Sequence, residues 1–277
     1  MVKRKILGLF LVVFMVFSFV GLSFAENGVD WDSEIITVTG MGLPIANAAS
    51  LAHAKATARR AAITDAYRNM GEVIKGVQIN SETSVKNLML EDDRISAKMD
   101  AFINNARIVK EGMGKDGIYY VTLQVNLYGN NSLSKIVYQS ETMTKKVLPA
   151  PSADYTFSDA EKYTGLVIDV TGLDLERCMS PKIVDESGRE IYGTMYIDDD
   201  YLSEHGILGY AYNSETLQKV NNGSSRAGNN PLVVKAVGVE NHNYNVVVSV
   251  EDGDFILSAN QRDQFLQSCS VMVKKEG

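Results

Sequence analysis

Residues 44–76 read PIANAASLAHAKATARRAAITDAYRNMGEVIKG, and this alanine-rich stretch decides the fold. Drawn as a helix, it gathers Ile45, Ala48, Ala49, Ala52, Ala56, Ile63, Ala66, Tyr67, Met70 and Ile74 on one stripe. Apolar positions three and four apart mark an amphipathic helix whose stripe must be covered. Alanine costs no side-chain entropy in a helix. Its small size also lets a sheet or a second helix come close to the backbone. Pro44 suits the first turn, and Gly71 or Gly76 offers a left-handed stop.

Working outward, Glu34 to Thr39 (EIITVT) is rich in β-branched residues and predicts a strand. Gly40-Met41-Gly42 then reads as a tight turn into the helix. A dinucleotide fingerprint would need a third glycine at position 45, where Ile45 stands. Beyond the helix, Val77 to Leu90 has mixed strand character. Glu91-Asp92-Asp93 opens a second helix to about Asn105, with Ile95, Met99, Phe102 and Ile103 on one side. Ala106 to Met113 and Ile118 to Leu127 read as strands joined through Asp116-Gly117, a strong hairpin signal. Residues 34–128 thus predict a β-helix-β-helix-β-β unit of the α+β class, its helices on one face of an antiparallel sheet.

The chain starts with Lys3-Arg4-Lys5, followed by 19 uncharged residues from Ile6 to Phe24 and a Ser23-Phe24-Ala25 exit. That pattern predicts a signal peptide over residues 1–25, cleaved after Ala25. No cysteine lies near the cut, so no lipid anchor is expected there. Membrane contact is expected only if the leader stays uncleaved. The chain beyond Ala25 carries 24 basic and 34 acidic residues, a net charge of −10. Such a surface repels phosphate backbones, which argues against nucleic acid as a partner.

Residues 26–33 form a polar leader that Trp31, the single tryptophan, would pin to the body. Residues 129–161 read as a proline-punctuated linker, with a weak helix signal over Leu133 to Val147. From residue 162 to 277 the pattern changes to short strands and glycine turns, a β-rich α+β domain. Within it Tyr163 to Val170, Lys182 to Val184, Glu190 to Tyr192 and Ile207 to Tyr212 are strand candidates. Val220 to Asn230 reads as a flexible polar loop. Pro231 to Val239 and Tyr244 to Val250 read as a hairpin, Phe255 to Gln267 as a helix, and Cys269 to Val273 as a strand.

Chemistry-bearing motifs are sparse. His53, His205 and His242 have no ligand at metal spacing, and no nucleophile elbow or P-loop occurs. No cofactor is expected. Asp198-Asp199-Asp200 is the sharpest acidic cluster and is either a solvated loop or a set of oxygen ligands for Ca²⁺, although the glycine-spaced pattern of a calcium loop is missing. Arg59 and Arg60 sit mid-helix, either as partner contacts or as stems that cover apolar surface. Cys178 and Cys269, 91 positions apart, either bridge, which would stabilise by about 4–5 kcal/mol in the chain-entropy model, or pack as buried thiols.

The strand ITVTGMG, the helix pattern AxxxAxxxARRAAxxDAY and the closing strand IYYVTLQVNLYG together resemble the Lpp-twenty-like bacterial envelope lipoproteins. They are also similar to the N-terminal domain of flagellar assembly protein T. The resemblance implies a dodecin-like α+β fold and a non-enzymatic envelope role. The lipidated cysteine of such lipoproteins is absent, so anchoring is not carried over. The expected partners are envelope or flagellar-base proteins, or a second copy of the chain. A small-ligand or Ca²⁺-binding role is the alternative.

Overall fold

The computed structural model describes residues 27–140 and 144–277. The predicted signal peptide and its cleavage site lie outside the described residues. The chain has the expected α+β class.

The N-terminal part comprises β1 (Gly28–Asp30), β2 (Ile35–Gly42), α1 (Leu51–Gly76), α2 (Val85–Glu91), α3 (Asp93–Asn104), β3 (Arg107–Met113), β4 (Tyr119–Asn126) and α4 (Leu133–Ser140). Its sheet has the order β1-β2-β4-β3, antiparallel throughout. The β3–β4 hairpin turns through Gly117 at φ +79°, as Asp116-Gly117 predicts. A bulge at Val109 and the charged Arg107, Lys110 and Glu111 blunt the β3 edge against unwanted pairing.

The long helix starts later than predicted. Ser50 caps it, its hydroxyl accepting from the His53 amide at 3.1 Å, and Pro44 lies outside. The buried stripe is Ala58, Ala62, Ala66, Met70 and Ile74, while Ala52 and Ala56 are exposed. Ala66, Met70 and Ile74 lie on the predicted stripe, but its N-terminal half runs through Ala58 and Ala62 rather than Ala52 and Ala56, so the buried residues form one i, i+4 row. Gly40 and Gly42 explain why. They are not a turn but the end of β2, on the buried side with Ile36 and Val38. A Cβ on Gly42 would stand 2.5 Å from the Ala62 amide nitrogen, and one on Gly40 would stand 2.6 Å from Ala66 Cα. The helix backbone thus rests directly on two bare strand positions, with the fully buried Ala58, Ala62 and Ala66 at the contact. This contact sets which helix face is buried.

One further expectation for this part fails and another holds in part. Residues 77–90 make only an isolated bridge between Gln78 and Ser84, after which Ser84 caps α2. The element order is therefore β2-α1-α2-α3-β3-β4, with no strand between the helices. The helix expected over Leu133 to Val147 is described only over Leu133–Ser140, and residues 144–154 hold no regular helix or strand.

The C-terminal part comprises β5 (Gly165–Asp169), β6 (Ile183–Asp185), β7 (Glu190–Tyr192), α5 (Asp199–His205), β8 (Gly209–Ala211), α6 (Ser214–Asn221), β9 (Pro231–Lys235), β10 (Gly238–Glu240), β11 (Asn245–Val248), α7 (Val250–Asp263) and β12 (Val271–Lys274). One sheet, β8-β12-β5-β9, is parallel at every pairing. The other, β10-β11-β6-β7, is parallel only between β11 and β6. Parallel strands need crossovers, and α6 supplies one between β8 and β9 of the parallel sheet, whereas α7 carries the chain from β11 in one sheet to β12 in the other.

The expected hairpin over residues 231–250 forms only in part. Pro231–Lys235 joins the parallel sheet through β5, and only Gly238–Glu240 pairs with β11. The last helix begins at Val250, where the Ser249 hydroxyl accepts from the Asp252 amide, and stops at the left-handed Gln264. The segment read as a flexible loop starts inside α6 and buries Ala227 completely.

The two parts share one continuous hydrophobic core. Trp31 meets Tyr210 edge-on at 5.8 Å, so the leader is pinned to the C-terminal part. Asp32 Oδ1 accepts from the Tyr212 amide and the Thr216 hydroxyl, both at 2.7 Å. The Tyr138 hydroxyl of α4 donates to the Met179 carbonyl at 2.8 Å, and Ser134 Oγ donates to the Ser203 carbonyl at 2.6 Å.

Candidate functional site

The residues singled out from the sequence do not converge. Arg59 lies across the sheet edge and forms a two-pronged ion pair with Glu111, 2.9 and 3.2 Å, while Arg60 is exposed. Asp198 caps α5 by accepting from the Asp200 and Tyr201 amides. Asp199 pairs with Lys145 at 2.5 Å, and Asp200 accepts from Gln139 at 3.5 Å. The three carboxylates thus serve three separate contacts. Among the described residues, no three His, Cys, Asp or Glu side chains are grouped so as to hold a metal ion. His53 accepts from the Ala49 amide at 3.2 Å, and His205 stacks on Tyr201 at 4.2 Å.

Cys178 and Cys269 are both buried free thiols, and the bridge weighed from the sequence is not formed. Each is held by a different tyrosine. The Tyr210 hydroxyl accepts from the Cys178 amide and donates to its carbonyl, and Cys269 lies beside Tyr192. Burial pushes the Cys178 thiol up to about 12 and raises that of Cys269 as well.

The densest buried ionic group is structural. Arg189 bonds Asp185 Oδ2 at 2.9 Å and Asp254 Oδ1 at 2.8 Å, and both carboxylates are almost fully buried. Burial alone would raise both acids. Hydrogen bonds from Ser187 and Arg189 outweigh it for Asp185, and those from Ser152 and Arg189 outweigh it for Asp254, so both sit below the usual carboxylate range. The same group clamps the segment read as a linker, since Asp254 accepts from the Ser152 amide at 2.8 Å and Arg189 donates to the Ala150 carbonyl at 3.3 Å.

Two surfaces of the N-terminal part lack such internal explanation. At the β2 exit, Met41, Leu43, Ile45 and Leu51 are 56, 69, 47 and 92% exposed. Met113 adds to this end of the sheet, because it and Gly42 both pair with Tyr119. Single exposed apolar residues are ordinary, whereas a contiguous group marks a contact surface.

The second surface lies at the opposite end of the sheet, about 23 Å away along β4 at the usual strand rise. Here two adjoining hollows of about 240 and 280 Å³ share Phe102, Asn105 and Asn131. Lys98, Arg107 and Lys135 line them, and no carboxylate does. Sequence reading misses this groove because its cations come from α3, β3 and α4. Asn130 and Asn131 fall in the segment read as a linker. Asn131 takes a left-handed φ of +55° there, turning the chain into α4.

Residues 43–126 match the LPP20 lipoprotein family. Residues 165–275 match a family described as the second domain of Treponema pallidum Tp0624. No curated protein matches the chain. The first match covers α1, both shorter helices and the β3–β4 hairpin, and it points to an exported protein of the cell envelope. The alanine helix and the hairpin beside it therefore lie within the stretch that is similar to the LPP20 lipoprotein family.

Proposed function

We propose that this protein acts in the cell envelope by binding other proteins, without catalysis, and that the apolar end of its LPP20 domain is the contact surface. The observation that carries this reading is the group Met41, Leu43, Ile45 and Leu51, large apolar side chains open to solvent from the end of β2, through the connecting loop, to the first residue of α1. Burying a leucine side chain contributes about 1.5–3 kcal/mol, so four such residues are enough to anchor a partner. Leu43 and Leu51 lie outside the buried core, and a partner that covers them would remove their apolar surface from water.

The test is affinity capture from an envelope fraction with the full chain, side by side with the Leu43→Ser/Leu51→Ser variant. The reading predicts a reproducible partner that the variant loses while its circular dichroism stays unchanged. Equal capture by both proteins, or recovery of the protein in the cytosolic fraction alone, would refute it. A role in flagellar or other surface assembly is the specific form this reading takes. A deletion strain with normal motility and normal surface structures would remove that form.

A further inference from the structure

We propose that the groove between α3, the β3–β4 sheet end and the start of α4 is a second binding site, one that takes an acidic segment of a protein partner. The proposal extends the contact role above but uses different residues at the other end of the sheet.

Three observations carry it. The first is charge. Beyond Ala25 the chain holds 34 acidic against 24 basic residues, yet the groove lining holds Lys98, Arg107 and Lys135 and no Asp or Glu. None of these three cations has an ion-pair partner among the described residues, whereas Arg59, Arg68, Arg94, Arg189, Arg226 and Arg262 each hold a carboxylate. A focused positive groove on an acidic protein selects an acidic ligand and orients its approach.

The second observation is hydrogen-bonding capacity. Asn105, Asn126, Asn130 and Asn131 project around the same hollows, and their side chains bond no other described residue. An amide offers a donor and an acceptor together, the complement of a peptide unit. A ring of free amides beside free cations therefore suits a peptide backbone carrying carboxylate side chains. The third is shape. Phe102, Val125 and Ser132 form a buried, preformed floor, and helix and strand ends rather than long loops hold the walls. The two hollows together are large enough for several residues of extended chain.

The site is tested with the mature full-length chain and a short fluorescein-labelled peptide of alternating Glu and Ala, read by anisotropy at low salt. A Gln/Ala peptide of the same length, galacturonate and inorganic phosphate serve as the other arms. The expected result is saturable binding of the Glu peptide that weakens as salt rises. Binding should fall roughly tenfold or more in Lys98→Gln/Arg107→Gln/Lys135→Gln, with no loss in Leu43→Ser/Leu51→Ser. All three cations are exposed, so the triple variant should keep its circular dichroism spectrum and thermal midpoint. No saturable binding, or equal binding by the triple variant, overturns the site. Displacement by phosphate or galacturonate at concentrations matching the peptide's carboxylates overturns the peptide assignment in favour of a small anion or an acidic sugar. Because the apolar end is intact in the triple variant, failure here leaves the contact surface at Leu43 and Leu51 standing, and failure there leaves the groove standing.

Discussion

Placing a methyl group on Gly42 should break the fit between helix and sheet on which the N-terminal domain is built. A Cβ there would lie 2.5 Å from the Ala62 nitrogen, where ordinary van der Waals contact begins at 3.4 Å. The obstacle is backbone, so no side-chain rotation relieves it. The helix must retreat by about 1 Å, which forfeits a quarter to a half of each dispersion contact along Ala58, Ala62, Ala66, Met70 and Ile74. Overpacking typically costs about 1–3 kcal/mol, and a backbone clash belongs at the upper end, so Gly42→Ala should lose about 3 kcal/mol. For a chain of this size that is a fall in Tm of roughly 6–12 °C. Gly40→Ala should behave alike. The double variant should cost less than the sum, because one retreat of the helix serves both sites. Gly28→Ala and Gly112→Ala are the controls, since no heavy atom lies within 4 Å of a Cβ at either position. Urea unfolding followed by circular dichroism reads the five variants against the parent. A Gly42→Ala protein within about 0.5 kcal/mol of the parent would refute the close-packing argument.

Further outcomes follow from the same structure. Arg189→Met strands Asp185 and Asp254 in a buried setting and should cost about 3–5 kcal/mol in the same urea assay. Because both acids are held below their unfolded values, their contribution is fully present above about pH 4 and is lost as pH falls through their folded values. Asp254→Asn should therefore flatten the acid limb of the stability curve, and an unchanged limb would contradict the assignment. Cys178 and Cys269 should resist a thiol reagent such as dithionitrobenzoate in the native protein, and both should react on unfolding without reductant. A protein that yields thiols only after reduction would contradict the free state. Trp31 is the single tryptophan, so its fluorescence should report separation of the leader from Tyr210. Asp32→Ala should shift that signal by freeing the Tyr212 amide and Thr216 hydroxyl.

The α+β class and the hairpin at Asp116-Gly117 were legible because both rest on local patterns, a periodic apolar stripe and a turn dipeptide. So was the C-terminal half of the helix stripe, Ala66, Met70 and Ile74, whereas the phase of its N-terminal half was not. Ala48, Ala52 and Ala56 compete equally with Ala58 and Ala62 until Gly40 and Gly42 are known to lie in the strand beneath them. Short helices escaped notice for a related reason. α2, α5 and α6 begin at Ser84, Asp198 and Asn213, whose side-chain caps look like loop residues in a sequence, and each runs too few turns to show a period. Asp198 is the clearest case, an acid weighed as a metal ligand that spends its carboxylate on helix amides. The parallel pairing of β5 with β9 and β12 joins residues far apart in the chain, and no local signal encodes it. The groove was invisible on the same ground, since Lys98, Arg107 and Lys135 meet only after folding.

Site-specific photo-crosslinking in living cells tests the contact role most directly. A crosslinking residue at position 43 reports the apolar end, and one at position 90, where Leu90 is 76% exposed on α2, controls for chance encounters. The account predicts a discrete adduct with another envelope protein from position 43 and none from position 90. No adduct from either position, or the same smear from both, would contradict it.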